Sequence, residues 1–346
     1  MRFFRFYRKI IYKYLWMCVF AIVMLAFYKI EEHISVVNLP TSEGDVLIYA
    51  NQVRDDLRHT YATAIQQAKK SVLLIIFTLR DPQVIQSLRD KAAEGVKVHI
   101  ICDARISYKA LRKLGPEVSV VKISGQSLMH QKILVIDDDQ VWVGSTNMTT
   151  DSLRMFGNLV VSVNSPALAQ MIWQKAEQFT AAVYAPILER EFIVGGQRIE
   201  FWFLPDNPNA QQRLIQLMNN AQKSICIAMY TWTRLDLAFA ALNASKRGVK
   251  VEIVIDSKAG RGAGSQVVSL FKQNQLPISL SLPGPMLHHK FAYIDRTILV
   301  NGSANWTRSA FEINDDCFMV IHNLTETQQM KLDELWNVIK LDAEAA

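Results

Sequence analysis

L-M-H-Q-K-I-L-V-I-D at residues 128–137 returns, 158 positions later, as M-L-H-H-K-F-A-Y-I-D at 286–295. The echo extends upstream. A-K-K-S-V-L-L-I-I-F-T at 68–78 matches A-Q-K-S-I-C-I-A-M-Y-T at 221–231, and E-G-V-K-V-H-I-I-C-D at 94–103 matches R-G-V-K-V-E-I-V-I-D at 247–256, both at an offset of 153. The change of offset places five extra residues in the second copy between Asp256 and its motif, around K-A-G-R-G-A-G-S at 258–265. A repeat on this scale makes each copy one folding pattern used twice.

Each copy reads as strand, helix, strand, helix, strand, then a motif-bearing hairpin and a closing helix. Val46–Tyr49 and Ile199–Phe203 are expected as opening strands, and Val72–Phe77 and Ile225–Tyr230 as short apolar strands after helices. Val96–Ile101 and Val249–Ile255 follow the turns at Gly95 and Gly248. Alternating strands and helices imply an α/β architecture. Pro186 and Gly195-Gly196 suggest a boundary, giving halves at 40–186 and 197–341 that pack about a pseudo-twofold axis. Trp202, Tyr230 and Trp232 lie at strand ends that could line a cleft, but aromatic residues in such runs read as core. The glycine-rich stretch 258–265 fits neither a P-loop nor a dinucleotide fingerprint and reads as a loop near the mouth of any site.

Aligned on their lysines, the motifs give His130, Lys132, Asp137, Gly144, Ser145 and Asn147, and then His288, Lys290, Asp295, Gly302, Ser303 and Asn305, at identical spacing. His288 is therefore the counterpart of His130, and His289 matches Gln131. Two-residue turns at Asp138-Asp139 and Arg296-Thr297 would set His130 opposite Asn147 and Lys132 opposite Ser145, with the same pairing in the second copy. All four polar side chains of each motif then share one face. The glycines would let another backbone or a ligand come close. Such a patch suits a phosphate, since lysine supplies charge, serine and asparagine supply hydrogen bonds, and histidine supplies a nucleophile or a proton. Two patches facing across the pseudo-twofold would surround one phosphodiester. No carboxylate cluster or cysteine/histidine spacing marks a metal site, so neither a metal nor another cofactor is expected. The four cysteines are far apart and read as buried thiols, Cys18 aside.

The formal charge of +6 is concentrated at one end. Residues 1–29 hold six basic residues and no acidic ones, and the remainder balances 32 Lys+Arg against 32 Asp+Glu. A polyanion partner is thus weakly supported. Residues 10–30 read instead as a transmembrane anchor behind a basic segment at 1–9, with Lys13 snorkelling. A signal-peptide core is the rival, but Lys29-Ile30-Glu31-Glu32 follows the run without a small-residue cleavage pattern. The positive-inside rule keeps the N-terminus cytoplasmic and sends the main domain across. Asn147 and Asn305 lie in N-x-S/T sequons, which favours a bacterial periplasm over a eukaryotic lumen.

The doubled H-x-K-x4-D-x6-G-S-x-N signature resembles that of the phospholipase D superfamily and covers nearly all of the chain after the anchor. The resemblance implies paired α-β-α sandwich halves, one active site at their interface within one chain, and a covalent phosphohistidine without metal. By motif position, His130 resembles the nucleophile and His288 the general acid. Lys132, Lys290, Asn147 and Asn305 would hold phosphate oxygens, with Ser145 and Ser303 beside them, and Asp137 and Asp295 would hydrogen-bond the histidines. N-W-T-R-S-A at 305–310, with Asn314 and Asp315-Asp316 after it, is similar to small bacterial nucleases and mitochondrial cardiolipin hydrolases of the superfamily. Phospholipid headgroup hydrolysis at a membrane is the expected activity. Cleavage of nucleic acid, phosphatidyl transfer of the cardiolipin synthase type, and a binding protein without turnover are the alternatives.

Overall fold

The computed structural model describes residues 12–24, 37–105, 111–181 and 190–345. Contacts divide the chain into Met1–Asn38 and Leu39–Ala346. In the first part residues 12–24 are helical, with Tyr14, Leu15, Trp16, Phe20 and Ile22 exposed. Segment 1–9 and both ends of the expected 10–30 anchor lie outside the described residues, among which no helix is long and apolar enough to cross a membrane.

The second part holds two mixed sheets. Strands β1 (Val46–Ala50), β2 (Ser71–Ile76), β3 (Lys97–Asp103), β4 (Ser119–Ile123), β5 (Lys132–Ile136), β6 (Gln140–Gly144) and β7 (Leu159–Asn164) form a seven-stranded sheet in the order β1-β7-β6-β5-β2-β3-β4. The second copy contributes β9 (Gln197–Leu204), β10 (Ser224–Met229), β11 (Lys250–Ile255), β12 (Ile278–Ser281), β13 (Lys290–Ile294), β14 (Ile298–Gly302) and β15 (Asp316–His322). They run β12-β11-β10-β13-β14-β15-β9, the same order read from the other end, with β8 (Glu191–Val194) and β16 (Ala343–Ala345) added at the edges. Gly195-Gly196, read as a boundary, is the turn of the β8–β9 hairpin.

Local sequence explains the elements. Ser71–Ile76 is a continuous apolar run because β2 is buried on both faces, between parallel β3 and antiparallel β5. The helix Pro82–Ala93 starts where Asp81 accepts from the amides of Gln83 and Val84 and proline occupies the first turn. Thr325 and Gln328 form a capping box at the start of the helix Glu326–Leu341. One face of each sheet, with Leu73, Ile75, Val135 and Val143 from the first and Ala228, Phe291, Leu299 and Met319 from the second, shares a single core with the helices Pro166–Gln178 and Glu326–Leu341. The other face of the second sheet packs on the helices Ala210–Asn220, Leu235–Lys246 and Ser265–Gln273. Trp202 and Trp232 are buried as expected. Residues 258–265 are not a plain loop: Ser257–Arg261 is a helical turn capped by Asp256, and Ser265 opens the next helix.

The motif hairpins differ from expectation by one residue. Ile133 pairs with Val143 and Phe291 with Asn301, so three residues, not two, form each turn. Asp137 and Asp138 (φ 53° and 67°), like Asp295 and Arg296 (φ 52° and 58°), adopt the left-handed region. The register is set by Asp137, whose backbone amide donates to Ser71 on β2 (3.0 Å) instead of joining β6. Its carboxylate accepts from the amides of Lys69 (2.7 Å), Lys70 (2.6 Å) and Ser71 (3.1 Å). Asp295 does the same for Gln222, Lys223 and Ser224. These aspartates therefore brace the turn-end of the sheet, and the expectation that they hydrogen-bond the histidines is corrected: each lies seven positions from its motif histidine, roughly 23 Å along an extended strand. Asp137→Ala should cost about 2–3 kcal/mol of stability by orphaning these amides. Urea unfolding of the full chain tests this, and an unchanged midpoint would contradict it.

Candidate active site

The two halves meet through reciprocal backbone pairing at the other end of the sheets. Met129 bridges Asp315, and Gly157 bridges Leu287. His130 N donates to Asp315 O (2.8 Å), Asp315 N to Leu128 O (2.9 Å) and Gly157 N to Met286 O (2.9 Å). The residue before each motif histidine is held by a strand-end carboxylate, Met129 N on Asp103 (3.3 Å) and Leu287 N on Asp256 (3.2 Å).

This seam gives each histidine a partner from the opposite copy. His130 Nδ1 donates to Asp316 Oδ1 at 2.8 Å, and Ser303 Oγ donates to the same oxygen at 2.7 Å. His288 Nδ1 lies 3.0 Å from Asn158 Oδ1, to which Ser145 Oγ donates at 2.7 Å. Asn158 Nδ2 donates to Ser152 O at 2.7 Å, which leaves Oδ1 as the acceptor facing the ring. Both histidines thus carry the proton on Nδ1 and present Nε2 away from their partners. Asp316 and Asn158 occupy the same position of the repeat, 158 residues apart, with a carboxylate in one copy and an amide in the other.

Lys132 and Lys290 lie beneath the histidines, each donating to the carbonyl of its own motif histidine (2.6 and 2.7 Å). Both amines are buried; Asp316 favours the charge on both, and Asp256 adds to that of Lys290. Burial brings Lys132 down to about 8, while burial and then Lys132 hold Lys290 well below the usual lysine range. Burial also lowers His130, against which Asp316 pulls upward. His288 has no such support: burial, Lys290, Lys132 and His130 all push it down. Asp316 is raised by burial but held below the usual carboxylate range by His130, Lys132 and Ser303. Holding charge on two buried lysines supported by Asp316, with Asp256 adding to Lys290, is costly, and a bound anion would offset that cost. Phe77 packs edge-on to His130 (5.1 Å between rings) and Tyr230 tilts against His288 (5.2 Å), with Lys132 and Lys290 over the same two rings.

The structure brings His130, Lys132, His288 and Lys290 together. Ser145 and Ser303 are fully buried and orient Asn158 and Asp316. The buried Oδ1 atoms of Asn147 and Asn305 make no hydrogen bond to described residues. Gly144 and Gly302 admit the neighbouring strand, since a Cβ at either would sit 2.3 Å from Leu159 O or Cys317 O. Asp316 was noted only as part of the resemblance, with no role; Asn158, Asp103, Asp256 and Phe77 were not foreseen, and Tyr230, read as core over a cleft lining, is half-buried beside His288. His289 Nε2 donates to Gln52 Oε1 (2.6 Å) and joins the halves; burial lowers it to about 3. The signal for Asp316 and Asn158 was available: they align in the repeat as polar residues at the head of apolar strands.

A double-motif α/β fold with this seam is that of a phospholipase D-like protein. The family described as cardiolipin synthase, PLD-like domain, matches residues 61–180 and 214–336, and the chain belongs to it. It is 29% identical over 148 residues to the mitochondrial cardiolipin hydrolase of Chlamydomonas reinhardtii, covering 42% of this chain and 66% of that one. The Xenopus tropicalis protein of the same name is 30% identical over 135 residues, covering 38% and 64%. The chain thus spans somewhat under two thirds of these relatives' length. The structure of phosphatidylserine synthase from Haemophilus influenzae Rd KW20 superposes with a TM-score of 0.70 over 92% of this chain and 91% of that one, at 13% identity, a likeness of fold.

Asp316→Asn should lower the titration midpoint of His130, and Asn158→Asp should raise that of His288, because each change alters the charge on an Nδ1 partner. Histidine 15N NMR of the full chain reads both. Midpoints unmoved by either substitution would contradict the pairing.

Proposed function

We propose that this chain is a phosphodiesterase of the phospholipase D type that hydrolyses phospholipid headgroup esters through a phosphohistidine on His130. The observation that carries the reading is the convergence of two buried lysines and two oriented histidines on one anion-deficient point. Lys132 and Lys290, with Asn147 and Asn305, hold the phosphoryl oxygens. His130 Nε2 gives its lone pair to phosphorus as the ester P–O bond breaks, and the leaving oxygen takes the proton of His288 Nε2. The cationic ring this creates at His130 is stabilised by Asp316, whereas His288, backed by a neutral amide, parts easily with a proton. Bound phosphate offsets the field of the lysines on His288, so the anion and that proton enter together. Water then loses a proton to His288 as its oxygen replaces His130 on phosphorus. The products are phosphatidate and the free alcohol.

The family description and the relatives' names support lipid over nucleic acid. They also favour a second reading, in which an alcohol replaces water and the phosphatidyl group is transferred. The basic and apolar composition of residues 1–30 supports a single-pass anchor with a cytoplasmic N-terminus and the main domain across the membrane, in a bacterial periplasm.

Full-length protein with mixed phospholipid vesicles should release headgroup in EDTA, and His130→Ala and His288→Ala should each lose about 10³-fold in rate. Glycerol in excess separates transfer from hydrolysis. Cleavage of single-stranded DNA with lipid untouched would overturn the lipid reading, and full activity of either variant would overturn the mechanism.

A further inference from the structure

The pseudo-twofold is broken at the site in a way that the chemistry at phosphorus does not require. Phe77 and Tyr230 are equivalent in the repeat, at the ends of β2 and β10, and their rings do the same work. Each packs on its own copy's histidine, at 5.1 and 5.2 Å, and lies under its own copy's lysine, with Nζ 5.4 and 5.0 Å from the ring centre. Phenylalanine suffices for that work at position 77. The hydroxyl of Tyr230 is therefore surplus to packing, and no hydrogen bond joins it to any described residue. Both side chains are half-buried, so the Tyr230 ring packed on His288 is not sealed in the core.

The same side of the site carries the other departure from symmetry, Asn158 in place of a carboxylate behind His288. On the reading above, His288 protonates the leaving oxygen, so the leaving alcohol lies on the Tyr230 side and the retained phosphatidyl group on the Phe77 side. We propose that the Tyr230 hydroxyl forms a leaving-alcohol subsite that selects headgroups bearing a hydroxyl on the carbon next to the ester carbon, as glycerol does. The apolar Phe77 offers the retained side no such partner. The subsite rests on the proposed roles of His130 and His288.

The test compares phosphatidylglycerol with phosphatidyl-1,3-propanediol, which lacks only that hydroxyl, in otherwise identical vesicles with wild-type protein and Tyr230→Phe. Phenylalanine already fills the equivalent place at position 77, and circular dichroism verifies that the variant folds. Wild type should favour phosphatidylglycerol by about tenfold in kcat/KM, the worth of one neutral hydrogen bond, and Tyr230→Phe should bring the ratio near one. Release from both lipids with an equal wild-type ratio, or a ratio unchanged in Tyr230→Phe, overturns the subsite and leaves the phosphodiesterase reading standing. Release from neither lipid by wild type overturns that reading and the subsite with it.

Discussion

Everything at the site depends on an exchange across one seam: each copy's histidine takes its orientation from the other copy. Asp316 is fixed by Ser303 of its own copy and turned to His130, and Asn158 is fixed by Ser145 and turned to His288. Neither copy alone holds an oriented histidine, so the shared core and the paired backbones at Met129–Asp315 and Gly157–Leu287 are preconditions for chemistry. The same closure buries Lys132 and Lys290 beside Asp316, which costs folding energy that a bound anion would offset.

Much of this was legible in the sequence. The repeat, the strand-and-helix alternation and the identity of the paired histidines and lysines follow from self-comparison, because a twofold arrangement repeats its chemistry at a fixed offset. The hairpin register did not follow. Asp137 and Asp295 are conspicuous in the motif, and a catalytic role for them was the natural expectation, yet their carboxylates are consumed by three backbone amides at the far end of the sheet. Nothing in the local spacing distinguishes a carboxylate that caps backbone from one that orients a ring. The repeat marks Asp316 as a polar residue at the head of an apolar strand but hides its role, since it lies outside its own copy's hairpin and acts on the other copy, a contact that only the tertiary seam creates.

Where the copies differ, the differences concern charge and polarity more than shape. Asp316 and Asn158 accept comparable hydrogen bonds, and Phe77 and Tyr230 place comparable rings. A carboxylate behind one histidine favours charge accumulating on that ring, and an amide behind the other favours proton traffic. On the proposed mechanism the duplicated scaffold has a direction, with one end suited to a covalent bond and the other to the group that departs.

That direction is the central claim, and a phosphodiester with a nitrophenol leaving group probes it most directly. Nitrophenolate needs no proton to depart, so His288→Ala should still release one equivalent in a burst and then stall without a base to activate water. Mass spectrometry after an alkaline quench should locate the retained phosphoester on His130. A burst from His130→Ala with the adduct on His288, or turnover with no adduct in either variant, would contradict the account.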